Sequence, residues 1–196
     1  ASVDEASLVA QSYGANAVCH LIPSSESIEA PFIERSPAEY QLECMQLFIS
    51  MMGKKPDVNG VFQVLIKTMH KGVEFSRCVI AMQNVNHQHL EARYAMGQKN
   101  LLQKFEMPVY KQGDPKDIFS WVYRYKVNKL MSSQDHELRY VPLKRLLKVG
   151  DCWVSPILYS GKIIAVFYAD MKGAEISDKQ CNDATMLIAQ AQQILE

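Results

Sequence analysis

His87 and His89 form an H-x-H pair, which on a strand turns both imidazoles to one face and can begin a metal site. Too few further ligands accompany the pair for a metal centre, so a surface location at a turn is the expected reading. The five cysteines, Cys19, Cys44, Cys78, Cys152 and Cys181, are odd in number and far apart. They show neither C-x-x-C nor a zinc spacing, and read as reduced thiols of a cytosolic protein. Cys78 and Cys152 stand in apolar periodic stretches, where a cysteine acts as a small buried hydrophobe. Cys19-His20 has the make-up of an activated or cofactor-attaching thiol, but it lies in unpatterned sequence and reads as a chance neighbour pair. G-x-S-x-G, H-E-x-x-H, the P-loop pattern and G-x-G-x-x-G are all missing, so no local signature of a hydrolase, metalloprotease, nucleotide or dinucleotide site is present.

The remaining chemistry-bearing set is aromatic. Tyr94, Phe119, Trp121, Tyr125, Trp153 and Tyr168 cluster in the pattern with Ser132 and Ser155. Core packing explains any one of the rings. Together with the serines they form the candidate lining of a small-molecule pocket, apolar with a few polar groups.

The body that must position these residues is an ordinary folded one. The chain has 196 residues, 48% hydrophobic and 21% charged, which excludes disordered or collagenous sequence. Lys plus Arg and Asp plus Glu number 21 each, which argues against a nucleic-acid or anionic-membrane binder. The longest apolar run, Ile163 to Ala169, is seven residues, far short of the roughly 20 of a membrane span. The first residue is not Met, which reads as a cut fragment. Residues 1 to 36 carry one Arg against five acids, net −4, and residues 98 to 150 carry eleven bases against five acids, net +6. The second region reads either as a solvated surface or as a basic rim for an anionic small molecule.

Residues 1 to 36, broken by Pro23, Pro31 and a Ser/Glu cluster, read as a linker or docking arm, and residues 37 to 196 as the domain. Ser36, Pro37 and Glu39 mark a helix start. That helix is apolar most of the way round, so it is expected to be covered on two sides, with Tyr40, Leu47, Phe48, Met51 and Met52 as the candidate dimer interface. A second helix carries a single stripe, Val58, Val61, Phe62, Leu65, Ile66 and Met69. Period-two stretches after Gly72 predict a hairpin turning around Asn84 to His87. A short helix over DPKDIFSWVYRYK and a strand in VNKLMSS come next, then a hairpin turning at Ser160-Gly161, and a closing helix that starts at Ser177 and Asp178. The last strand is apolar on both faces, with Ile163, Ala165, Phe167 and Ala169 opposite Ile164, Val166 and Tyr168, so it is expected to be central and covered twice. The fold class is α+β: an antiparallel sheet with the end helices on one face and a second, partly covered face.

Gly72 to Gly97, with Arg93-Tyr94-Ala95-Met96-Gly97 ending a strand, and Cys152 to Asp170, with Pro156, Gly161-Lys162 and Phe167-Tyr168-Ala169-Asp170, resemble the GAF-like domain of bacterial signalling proteins. The likeness is to the form that lies C-terminal to an HDOD domain. It implies a five- or six-stranded antiparallel sheet, terminal helices that serve dimerisation, a pocket on the opposite face, and an attached N-terminal output domain. Asn128-Lys129 matches part of the cyclic-nucleotide subtype, but the acids expected after Phe167 are missing. The bilin motif and the cysteine loop of the methionine sulfoxide reductases are also missing, and no cofactor is indicated. The expected role is a non-catalytic sensory or regulatory module that binds a small ligand, dimerises, or does both. A purely structural dimerisation module with a filled pocket and a cysteine-based redox enzyme are the alternatives.

Overall fold

A computed structural model describes residues 35–53, 57–84, 89–109, 114–115, 117–132 and 150–196. The chain divides into Ala1–Ser36 and Pro37–Glu196, and every helix and strand among the described residues belongs to the second unit. The expected arm up to residue 34, His87, Cys19-His20 and residues 110–113, 116 and 133–149 of the basic stretch lie outside the described residues.

The order of elements is α1 (Pro37–Met51), α2 (Val58–Lys71), β1 (Arg77–Gln83), β2 (His89–Met96), α3 (Leu101–Lys104), β3 (Glu106–Pro108), α4 (Ile118–Tyr125), β4 (Lys129–Met131), β5 (Cys152–Tyr159), β6 (Lys162–Asp170) and α5 (Asp178–Leu195). Local chemistry explains the helix starts. The Asp57 carboxylate accepts from the backbone N–H groups of Asn59 and Gly60 and so caps α2. Asp117 accepts from the N–H and hydroxyl of Ser120 to cap α4. Ser177 and Gln180 form a reciprocal capping box on α5.

Among the described residues the strands form one six-stranded antiparallel sheet, β3-β2-β1-β6-β5-β4. The β5–β6 hairpin turns through Ser160 and Gly161 at φ 47° and 71°, the left-handed pair of a two-residue turn whose twist matches the strands. β6 is central and covered twice. On one face, Phe167 and Ala169 pack with Ile80, Trp153 and residues of α1, α2 and α5; on the other, Val166 and Tyr168 pack with Val79, Val154, Phe105 and residues of α3 and α4. Each fully buried ring or branched side chain contributes roughly 1.5–3 kcal/mol relative to exposure.

Two details differ from the periodicity. Opposite Ile157 stands Ala165, but opposite Leu158 stands Ile163, so Ile164 is the extra residue of a bulge. Parity flips there: Ile163 joins the face of Val166 and Tyr168, and Ile164 the helix face. Val58, expected in the α2 stripe, is 39% exposed at the first turn, whereas Val61, Phe62, Leu65, Ile66 and Met69 are buried. The helix layer is tied by Gln41, whose Nε2 donates to the Gly72 carbonyl at 2.7 Å and to Asp183 Oδ2 at 3.3 Å, joining α1 to the end of α2 and to α5.

Candidate functional site

The register of the sheet divides the aromatic set between its two faces. Tyr94 lies on the helix face, edge-on to Phe62, with its hydroxyl donating to Asn59 Oδ1 at 2.9 Å. Trp153 is on the same face between Phe75 and Phe167, at centroid distances of 6.5 and 5.9 Å. Ser155, two residues on, faces α5. Phe119 and Tyr168 are on the far face, where Phe105 meets both at 5.9 and 5.4 Å. Trp121 is half-buried against that cluster and stacks at 4.9 Å on Tyr125, which is 51% exposed. Ser132 follows β4, half-buried. A single chamber lined by all eight is therefore corrected. Residues alternating along β5 and β6 belong to opposite layers, and among the described residues the rings of each layer pack against one another.

The far face holds a buried ionic cluster that the aromatic pattern does not reveal. Arg77 and Asp170 are register partners on β1 and β6, 4% and 0% exposed. Arg77 Nε donates to both Asp170 oxygens at 2.8 and 2.9 Å, its Nη2 stands 2.7 Å from Oδ1, and its Nη1 donates to Gln98 Oε1 at 2.9 Å. Asp170 also accepts from the Tyr168 hydroxyl at 2.5 Å and from the Lys172 N–H at 2.7 Å. With so many donors the carboxylate is satisfied where it is, and the arrangement locks strand ends together. Burial, reinforced by the Asp170 charge, pushes the thiols of Cys78 and Cys152 well up, and burial does the same to the Tyr168 hydroxyl. Burial pushes the Cys44 thiol up to about 11, and that of Cys181 upward. Protonated, buried thiols are poor nucleophiles. Among the described residues no group of three metal-ligating side chains occurs, and His89 is half-buried at the start of β2.

On α1 the candidate interface splits. Phe48 is 3% exposed within the chain's own core and so is not open to a partner, a correction to the sequence expectation, whereas Met51 packs against that core half-buried. Tyr40 is half-buried beneath Lys67, whose Nζ is 5.7 Å from its ring. Leu47 and Met52 are exposed on different flanks of the helix. Met52 ends a row, Leu42, Met45, Ile49, Met52, spaced i, i+3, i+7 and i+10 and 37–66% exposed. The all-round apolar character of the helix hides the separation of this row from the inward one, Cys44, Phe48 and Met51. The 3-4-3 spacing is the signal that distinguishes it.

A third feature is a cleft of about 250 Å³ between α5 and the end of β5, walled by Val127, Pro156, Ile188 and Ala189. β4 pairs only with Cys152 to Val154, so among the described residues β5 runs on past it with no strand on that side.

No family model matches the chain, and no curated protein does either. Solved structures do. The chain is similar to residues 122 to 287 of a methyl-accepting chemotaxis protein, with 18% identity, TM-score 0.60, and 78% of this chain and 96% of that one covered. It is similar to the GAF domain/HD domain protein from Geobacter sulfurreducens, with 16% identity, TM-score 0.56, and coverage of 71% and 92%. It is also similar to the free methionine-R-sulfoxide reductase from Neisseria meningitidis, solved with its substrate, with 11% identity, TM-score 0.59, and coverage of 90% and 95%. The shared feature is the GAF-like fold, an α+β architecture that carries both signalling proteins and a reductase.

Proposed function

We propose, taking the GAF-like fold as premise, that this chain is a non-catalytic regulatory module of a signalling protein and that it pairs with a second copy of itself through α1. The carrying observation is the outward row Leu42, Met45 and Ile49 on α1, continued by Met52 just past its end, while Cys44 and Phe48 on another side of the helix are buried in the core. Its spacing is that of a helix-pairing seam, and four large apolar side chains in line are better covered than wet. A second copy presents the same row, so a two-fold pairing is self-complementary. The proposed recipient of the signal is an attached N-terminal domain, of HDOD type by the sequence resemblance. A shift in α1 is transmitted to it and, through Gln41, to α5.

The fold neighbour from a chemotaxis protein supports a signalling role by analogy of fold. The reductase neighbours favour a redox reading, but the thiols of Cys44, Cys78 and Cys152 are buried and held protonated. Between a far-face receptor and a dimerising module, the packing of Phe105 against Phe119 and Tyr168 among the described residues of the far face favours the second. Sedimentation equilibrium of the full chain tests the reading. A dimer is expected for the parent, and a monomer with unchanged circular dichroism for the Leu42→Glu/Ile49→Glu double variant. A parent that stays monomeric at the highest soluble concentration refutes it.

A further inference from the structure

The cleft between α5 and β5 lies on the helix side of the sheet, apart from both the far face and the α1 row. Lys126 is the one charged side chain among its lining residues. It follows α4 in a left-handed conformation, φ 54°, and its Nζ donates to the Gly161 carbonyl at 2.8 Å. That contact holds the ammonium over the hairpin tip and leaves two of its three N–H donors for other partners.

Hydrogen bonding fixes the orientation of two amides. Gln192 Oε1 accepts from the Leu158 N–H at 2.7 Å, so the Gln192 NH₂ is the end left to donate. Thr185 Oγ1 donates to the Cys181 carbonyl at 2.7 Å, so it accepts from Asn128 Nδ2 at 2.9 Å, and Asn128 Oδ1 remains an acceptor. The lining of the cleft therefore offers a cation, a neutral donor and an acceptor beside the apolar side chains of Pro156 and Ile188.

We propose that this cleft binds a small organic monocarboxylate with a short branched apolar body and a hydroxyl on the neighbouring carbon. The carboxylate takes the Lys126 ammonium and the Gln192 NH₂, the hydroxyl donates to Asn128 Oδ1, and the hydrocarbon lies on Pro156 and Ile188. The size suits it: about 250 Å³ is below the roughly 300–1,000 Å³ of drug-sized pockets and matches a metabolite of this class. Such a ligand bridges α5 to the β5–β6 hairpin. Pairing through α1 has no part in this binding, because none of the cleft's lining residues lies on that helix.

Amide chemical-shift titration of the full chain tests this, with leucic acid, isocaproate and isohexanol as probes. Saturable shifts centred on Val127, Ser155, Ile188 and Ala189 are expected with leucic acid. A weaker response is expected with isocaproate, which lacks the hydroxyl, and none with isohexanol, which lacks the charge. Lys126→Met is expected to weaken leucic acid at least about tenfold, the loss of one charge-assisted contact. Ala189→Trp, a change at an exposed helix position, is expected to abolish binding while the parent spectrum elsewhere is kept. No saturable response to leucic acid up to about 10 mM overturns the proposal. So does an equal response to isohexanol, or unaltered binding in the Ala189→Trp variant.

Discussion

Replacing Arg77 by Met removes a guanidinium that donates to both oxygens of a fully buried carboxylate. The stranded Asp170 charge makes this change costly, about 3–5 kcal/mol in urea unfolding, whereas Arg77→Met with Asp170→Leu is expected to recover most of that loss. A double variant as unstable as the single one contradicts the charge argument. The thiols give a pH signature. Burial holds those of Cys44, Cys78 and Cys152 above their unfolded value of about 8.5. Below that pH both states keep the proton and the contribution is level. Above it the unfolded chain releases protons that the native one retains, so stability falls as pH rises, a window that extends to about 11 for Cys44. Unfolding free energies at about pH 8 and about pH 10 are expected to differ by up to roughly 1.4 kcal/mol per thiol per unit, less in Cys152→Ala than in the parent. A flat profile speaks against buried thiols. Arg77 and Asp170 both stand in stretches that carry the family resemblance. Their pairing was not legible because it joins residues 93 apart and depends on β1 lying beside β6.

The helices and hairpins were the most legible elements, because Pro37, Asp57, Ser177 and Ser160-Gly161 each meet a local backbone requirement that tertiary packing did not override. α3 and β3 escaped because four and three residues carry no measurable period. The pocket grouping failed for a related reason. Which face a residue takes depends on register, and the bulge at Ile164 changes parity within a single strand. Two glycines separate fold from turn. A Cβ at Gly97, φ 91°, stands 1.9 Å from the Ser76 carbonyl oxygen, so Gly97→Ala must part the end of β2 from the start of β1. A loss of more than about 2 kcal/mol is expected, since left-handed strain alone costs about 1–3. Gly161, φ 71°, has open space around it, and Gly161→Ala is expected to cost about 1 kcal/mol. At its neighbour, Ser160→Asn supplies the preferred Asn-Gly turn and is expected to stabilise by about 0.5 kcal/mol. Thermal melts that rank the three variants otherwise contradict this account of the turns.

At the scale of the whole molecule, the proposed pairing makes α1 the helix in which folding and association are expected to come apart. Phe48→Ala hollows the core and is expected to cost about 3–5 kcal/mol while leaving the stoichiometry of the proposed dimer intact. Ile49→Glu, one residue on but 66% exposed, is expected to change stability by less than about 0.5 kcal/mol in the monomer and to weaken pairing. If both changes act alike in light scattering and in urea melts, the two rows of α1 are not distinct. The border of β5 beyond β4 has a further consequence. Pro156 has no N–H to offer there, and Gln192 of α5 occupies that of Leu158. Gln192 of the last helix therefore covers the N–H at that strand margin, and the chain's resistance to edge-to-edge aggregation is expected to depend on the docking of α5.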